Sequence, residues 1–124
     1  MTLTHYLSGL PVVLLTTTGA RSGKQRTTTL AYIHHPNDRS KFVLVASNFG
    51  QSRNPAWYYN LKLHQRATAT IDQRSMTYIA YEAEGEEYSR FWKIALEIYP
   101  GYQLYQHQAG ERHIPIMVLT PEHK

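Results

Sequence analysis

Three short strings in this 124-residue chain hold the residue types from which a chemical site could be built. The first, Thr16 to Arg26 (TTTGARSGKQR), gathers Arg21, Ser22, Lys24 and Arg26 around two glycines. A guanidinium fork matches phosphate oxygens, and a glycine-containing turn between strands can expose backbone N–H groups as an anion nest. The spacing excludes a nucleotide-hydrolase phosphate loop. Gly19 and Gly23 enclose three residues instead of four, Gln25 stands where Ser or Thr must ligate magnesium, and a strand-like RTTTLAYI follows where a helix is required. Taken alone, the string also reads as a merely basic hairpin loop.

The second string, Ala46 to Asn60 (ASNFGQSRNPAWYYN), joins a strand end, a loop and a proline-started helix. Such a corner brings several backbone N–H groups to one point, where the helix dipole adds about half a positive charge. Ser47 and Asn48 are small and polar at the strand's end, so a planar ring could lie against the backbone there. The same string also fits an ordinary corner with Trp57 and Tyr58 as core. The third string, YPGYQLYQ, repeats phenols at Tyr99, Tyr102 and Tyr105 around a helix break. They could roof a pocket and donate hydrogen bonds, or simply pack.

Other chemistries lack their residues. There is no Cys, hence no disulfide, thiol nucleophile or thiolate metal site. The seven His are scattered with no H-E-x-x-H, so no metal is expected; no G-x-S-x-G is present. Residues 1–71 carry eight basic side chains against Asp38 alone, whereas residues 72–124 carry five basic and eight acidic ones. A basic first half suits an anionic partner. The longest apolar run, Leu10 to Leu15, is far too short for a membrane span, and Met1 to Leu10 lacks the pattern of a signal peptide. A soluble, cytoplasmic protein is expected.

The elements that must position these strings follow from period and punctuation. Pro11 to Thr18, Arg26 to His35 and Lys41 to Asn48 read as strands. Asn54-Pro55 predicts a helix with Asn54 as N-cap and Pro55 at its first position, running to about His64. Arg66 to Asp72 and Ser75 to Glu84 predict a hairpin turning at Asp72-Gln73-Arg74. Glu86 to Tyr99 predicts a helix whose buried stripe is Phe91, Ala95 and Ile98, and Pro100-Gly101 breaks it. Tyr102 to Gln108 suits one or two further turns, and Ile114 to Thr120 a last strand. No linker or repeat appears, so residues 1–124 are expected to form one domain. Strands outnumber helices and short turns join them, which favours an antiparallel barrel of about six strands with helices over its openings.

Taken in order, TTTGARSGKQR, VASNFG, NPAWYYNL, YPGYQLYQ and IPIMVL resemble the deazaflavin-dependent nitroreductase family, also described as deazaflavin-dependent quinone reductases, over about Pro11 to Pro121. The resemblance implies a split β-barrel of the FMN-binding type. It also implies an oxidoreductase that passes hydride from the reduced deazaflavin coenzyme F420 to a quinone, nitro compound or activated alkene, with FMN as the alternative coenzyme. By position, Arg21, Ser22 and Arg26 would hold the coenzyme's phosphate end, with Lys24 beside them. Ser47, Asn48, Gly50, Trp57 and Asn60 would lie near the ring and its ribityl chain, and Leu30, Ala46 and Pro55 would complete the coenzyme site. Ser47, Tyr99, Tyr102 and Tyr105 would form the catalytic, acceptor-side set, Ser47 being the candidate proton donor. The expected partner is a small-molecule acceptor, with no nucleic acid, and the chain a monomer or homodimer. Two non-catalytic readings stand beside this one: a barrel that binds single-stranded nucleic acid through basic and aromatic residues, and a carrier of the coenzyme or another apolar ligand.

Overall fold

The computed structural model describes residues 11–51, 53–108, 110 and 113–122, so the reading of Met1 to Leu10 lies outside the described residues. Among the described residues, seven strands form one antiparallel sheet: β1 (Val12–Thr18), β2 (Gln25–Ala31), β3 (Ile33–His34), β4 (Phe42–Val45), β5 (Arg66–Ile71), β6 (Arg74–Glu82) and β7 (Ile116–Pro121). Their spatial order is β2-β1-β5-β6-β7-β4-β3. Three helices accompany them: α1 (Ala56–Leu63), α2 (Gly85–Ile98) and α3 (Gly101–Gln108), with a 3₁₀ turn at Asn48–Gly50.

The order forces the sheet to roll. β2 and β3 occupy its two ends, yet Tyr32 alone separates them in the chain. Laid flat, seven strands would span about 29 Å, whereas two residues reach about 7 Å. The ends must therefore meet at Tyr32, which gives the split barrel expected from the sequence. The expected strand Arg26 to His35 is in fact two. Tyr32 turns its ring into the barrel, edge-on to Phe42 at 5.4 Å, and the chain passes there from one end of the sheet to the other. That break raises the strand count from about six to seven.

Inside the barrel lie Val13, Leu15, Phe42, Leu44, Ala67, Ala69, Tyr78, Ala80, Met117 and Leu119, with Trp57 and Leu61 of α1 packed among them. The other face of β3, β4 and β7 packs Ile33, Val43, Ile116 and Val118 against Phe91 and Ala95 of α2 and Tyr102 of α3. Strands β4 and β7 are thus buried on both sides, which is why KFVLV and IPIMVL read as unbroken apolar runs instead of alternating.

Four local expectations are corrected. The third strand stops at Val45, because Asn48 adopts a left-handed φ of 48° and starts the 3₁₀ turn. Asn54 does not cap α1; Pro55 occupies the cap position without a side-chain bond, and the Tyr58 N–H donates to the Pro55 carbonyl at 3.1 Å. The β5–β6 hairpin turns on Asp72 and Gln73 only, at φ of 51° and 68°. Two positive φ values match the type I′ geometry whose twist suits paired strands, so Arg74 is already in β6 opposite Ile71. On α2, Phe91 and Ala95 are buried as expected, but Ile98 is 47% exposed because the helix ends there and the chain turns away at Tyr99. The remaining bounds move by a residue or two, with β7 running Ile116–Pro121.

Leu15 is fully buried at the centre of the barrel core. Leu15→Ala is expected to lower unfolding free energy by about 2–5 kcal/mol, from lost transfer energy plus the cavity left behind. Denaturant titration measures it, and a loss under about 1 kcal/mol would mean that the interior collapses around the deletion.

Candidate active site

The rolled sheet leaves a seam where its ends meet without pairing, and the seam opens as a cleft of about 1490 Å³. One wall is β2, from Thr28 to Ala31, with the turn Gly19 to Ser22 above it. The other is the end of β4 at Val45 with Ser47 and Asn48 just beyond it, continued by Asn54 to Trp57 at the start of α1. Tyr99, Tyr102 and Tyr105 close the far side.

The β1–β2 turn owes its shape to internal bonds. The Gly19 N–H donates to the Lys24 carbonyl at 2.8 Å, the Gly23 N–H to the Gly19 carbonyl at 2.9 Å, and the Lys24 N–H to Ser22 Oγ at 3.1 Å. Asn60 on α1 then bridges turn and strand: the Ala20 N–H donates to Asn60 Oδ1 at 2.9 Å, and Asn60 Nδ2 donates to Thr17 Oγ1 at 3.0 Å. Arg21 and Arg26 are exposed and both line the cleft. Arg53, from the opposite lip, lines it too. No carboxylate lines the cleft among the described residues, and none of these arginines belongs to the ion pairs Lys62–Glu82 and Arg66–Glu122. The cleft therefore carries positive charge that nothing on its walls neutralises.

At the strand end, Ser47 is 8% exposed, and its carbonyl accepts from the Gly50 N–H at 2.9 Å. Asn48 holds its left-handed backbone at modest cost, as Asn tolerates this region better than most residues. Its Nδ2 donates to the Arg53 carbonyl at 2.9 Å, closing the loop that carries Arg53. The first N–H groups of a helix lack intrahelical acceptors, and Ala56 and Trp57, which carry two of them in α1, line the cleft.

The tyrosines form one cluster, with ring centroids 4.9 Å apart for Tyr99 and Tyr102 and 6.2 Å for each of the other pairs. Tyr99 folds its ring back over Gly101, where an added Cβ would lie 2.7 Å from Tyr99 Cζ, so a larger residue would have to push the ring aside. The hydroxyls of Tyr99 and Tyr105 share a hydrogen bond at 3.4 Å. That bond, with burial, pushes the Tyr105 phenol up to about 12; burial drives that of Tyr102 higher still. At neutral pH both phenols keep their protons and act as hydrogen-bond donors.

Of the residues singled out in the sequence, Arg21, Ser22, Arg26, Leu30, Ser47, Asn48, Pro55, Trp57, Asn60, Tyr99, Tyr102 and Tyr105 line this one cleft. Lys24, Ala46 and Gly50 do not. Lys24 is exposed, and Ala46 is fully buried in the barrel core. Gly50, at φ 80°, presses the 3₁₀ turn against α3, where an added Cβ would come within 2.5 Å of Gln108 Oε1 and 3.3 Å of Tyr105 Cα. Residues not singled out also line it, chiefly Arg53, Thr28, Thr29 and Tyr59. Arg53 stood in the second string, and its charge was the signal that could have found it.

The alkaline behaviour of the phenols checks this electrostatic picture. Tyr58 and Tyr81 are likewise pushed up to about 12, by burial and then by donation to Glu82 and Glu87. The unfolded chain releases phenol protons near 10 and the folded one later, so the unfolded state binds fewer protons between these limits. Stability is expected to fall as pH rises from about 10 towards 12. Tyrosinate absorbance of the native protein should lag that of the denatured chain, and superimposable titrations would contradict the burial seen here.

The site suits a flat ring with an anionic tail. Its volume exceeds the roughly 300–1,000 Å³ of ordinary small-ligand pockets, its arginines match phosphate, and Leu30, Val45, Trp57 and the tyrosines supply apolar and aromatic surface. Comparison with known proteins agrees. A family model described as F420H(2)-dependent quinone reductase matches residues 1–121. The F420H(2)-dependent quinone reductase Rv1261c of Mycobacterium tuberculosis is 34% identical over 120 residues, covering 94% of this chain and 78% of that protein. A solved F420-H2 dependent reductase, FDR-A, is 37% identical with a TM-score of 0.75, covering 88% of this chain and 93% of its own. A second solved structure, described as a domain-swapped dimer, gives the same identity and TM-score over 88% of this chain and 79% of its own. Fold, cleft chemistry and sequence thus converge, and the chain belongs to the F420H(2)-dependent quinone reductase family.

Proposed function

We propose that this cleft holds the deazaflavin coenzyme F420 with its phosphate end on Arg21 and Arg26, its ring against the Ser47 corner, and the quinone acceptor on the tyrosine side. The observation that carries this assignment is the lining of one cleft, without a carboxylate among the described residues, by Arg21, Arg26, Ser47 and the three tyrosines. When bound, the reduced coenzyme supplies the hydride; the chain's own residues bind, orient and shield.

Arg21 from the turn and Arg26 from the start of β2 meet the tail, and Arg53 adds charge from the opposite lip. Charge-assisted hydrogen bonds of this kind are worth roughly 1.5–3 kcal/mol each. Ser22 serves the turn first, since its hydroxyl already accepts the Lys24 N–H. Trp57 and Leu30 provide the apolar wall against which a flat ring packs, and Trp57 is itself anchored in the core. Holding both reactants in this geometry supplies the orientation that makes the transfer effectively unimolecular.

As negative charge develops on the acceptor oxygen, Tyr105 and Tyr99 donate hydrogen bonds to it from preformed positions. The raised pKa of Tyr105 makes it a donor that stabilises charge while keeping its own proton. Ser47, buried at the strand end, is our candidate proton donor on the coenzyme side. A quinone is the acceptor class that the family's name points to. The dimeric neighbour supports a homodimer, and the cysteine-free sequence agrees with a cytoplasmic site; both belong to the same proposal.

Titration of the purified chain with F420, followed by fluorescence, tests the reading, and saturable binding with turnover of a quinone is expected. Absence of any saturable change would remove it. Arg26→Ala should weaken coenzyme affinity by roughly ten- to a hundredfold while leaving turnover at saturation close to that of the parent. Unchanged affinity would reduce the first string to a plain basic hairpin.

A further inference from the structure

We infer that Asn60 is a positioning residue for the coenzyme's anionic end: it locks the cationic β1–β2 turn onto α1 and acts through Arg21 and Arg26 instead of reading the coenzyme itself. The inference rests on the phosphate-end assignment above and goes further, because it gives a residue on the cleft wall a role in setting the geometry of two others.

Three observations carry it. First, both polar ends of the Asn60 side chain are engaged within the protein. Oδ1 accepts the Ala20 N–H at 2.9 Å, Nδ2 donates to Thr17 Oγ1 at 3.0 Å, and the side chain is 7% exposed. Second, the two residues it grips are the ones beside the arginines. Ala20 is bonded directly to Arg21, and Thr17 lies opposite Arg26 in the β1–β2 register. Third, the turn is closed by its own bonds among Gly19, Ser22, Gly23 and Lys24, so it behaves as a small rigid body at the end of a two-stranded arm. Rigid within itself, it still needs an anchor to fix its distance from α1, and the Asn60 bridge spans 40 and 43 residues to do so.

The physical consequence is preorganisation. Two guanidinium groups attract a phosphate most strongly when both already face it, and reorienting a hairpin tip on binding would cost affinity. With the amide bridge gone, the arm can swing within the free edge of the sheet, and the arginines no longer converge. The loss would appear in the charge-dependent part of binding, because neither arginine has been removed, only misplaced. A neutral hydrogen bond from Asn60 to the coenzyme would behave differently, being nearly independent of ionic strength.

Salt dependence therefore separates the two. Affinity for oxidised F420 is measured by fluorescence titration at several ionic strengths for the parent, Asn60→Ala and Thr17→Val. The parent is expected to weaken roughly tenfold or more between about 0.1 M and about 1 M salt as screening shortens. Asn60→Ala should bind roughly tenfold more weakly at low salt yet approach the parent at high salt, giving a flatter line, with turnover recovering at saturating coenzyme. Thr17→Val removes only the hydroxyl that holds the amide, so it should flatten the line in the same direction and less far. Should Asn60→Ala fail to fold, the near-isosteric Thr17→Val carries the comparison. Equal loss at every salt concentration, or no loss, overturns the positioning role. A parent that binds without salt dependence sinks the phosphate-end assignment itself, and this inference with it.

Discussion

A one-residue link governs this molecule. Because Tyr32 alone joins β2 to β3, and these strands stand at opposite ends of a seven-strand order, the sheet has no flat solution. It rolls until its ends meet at Tyr32. The ends converge there without pairing along their length, so the barrel keeps a seam. That seam is the cleft, and the residues that line it lie on its two lips or on the helices beside it. The cavity is thus a consequence of strand order, not a gap left by poor packing.

Around the seam, labour divides between residues that face the cleft and residues that place them. Arg21, Arg26 and Arg53 supply charge, and Trp57, Leu30 and the tyrosines supply surface. Ala46 seats the strand end in the core, Gly50 permits α3 to close on the 3₁₀ turn, and Gly101 lets the Tyr99 ring fold back. A single methyl at Gly50 would meet the Gln108 side chain at 2.5 Å, and one at Gly101 would meet the Tyr99 ring at 2.7 Å. Unneutralised arginine charge and left-handed Asn48 lie in the same cleft, where binding can repay what folding alone does not.

Much of this was legible in the residues. Apolar runs at KFVLV and IPIMVL marked strands buried on both faces, and the three chemical strings do meet at one place. What the sequence concealed was mostly non-local. No propensity distinguishes Tyr32 from its strand-forming neighbours; it breaks the strand because the barrel turns there. Asn54-Pro55 carried a good capping signal, but the cap position is taken by Pro55 in an extended conformation without a side-chain bond. Asp72-Gln73 lacks the glycine expected of a type I′ turn, so its sequence does not mark a two-residue hairpin. Gly50 and Lys24 belong to these strings but do not line the cleft. Asn60 was placed near the coenzyme, but its bonds to Thr17 and Ala20 span some forty residues and leave no local trace.

Diffraction from crystals grown with F420 tests the central claim most directly. The account predicts phosphate density within hydrogen-bond distance of Arg21 and Arg26, with the ring lying between Ser47 and Tyr105 at the seam. Density bound elsewhere, or a tail directed away from the β1–β2 turn, would contradict it.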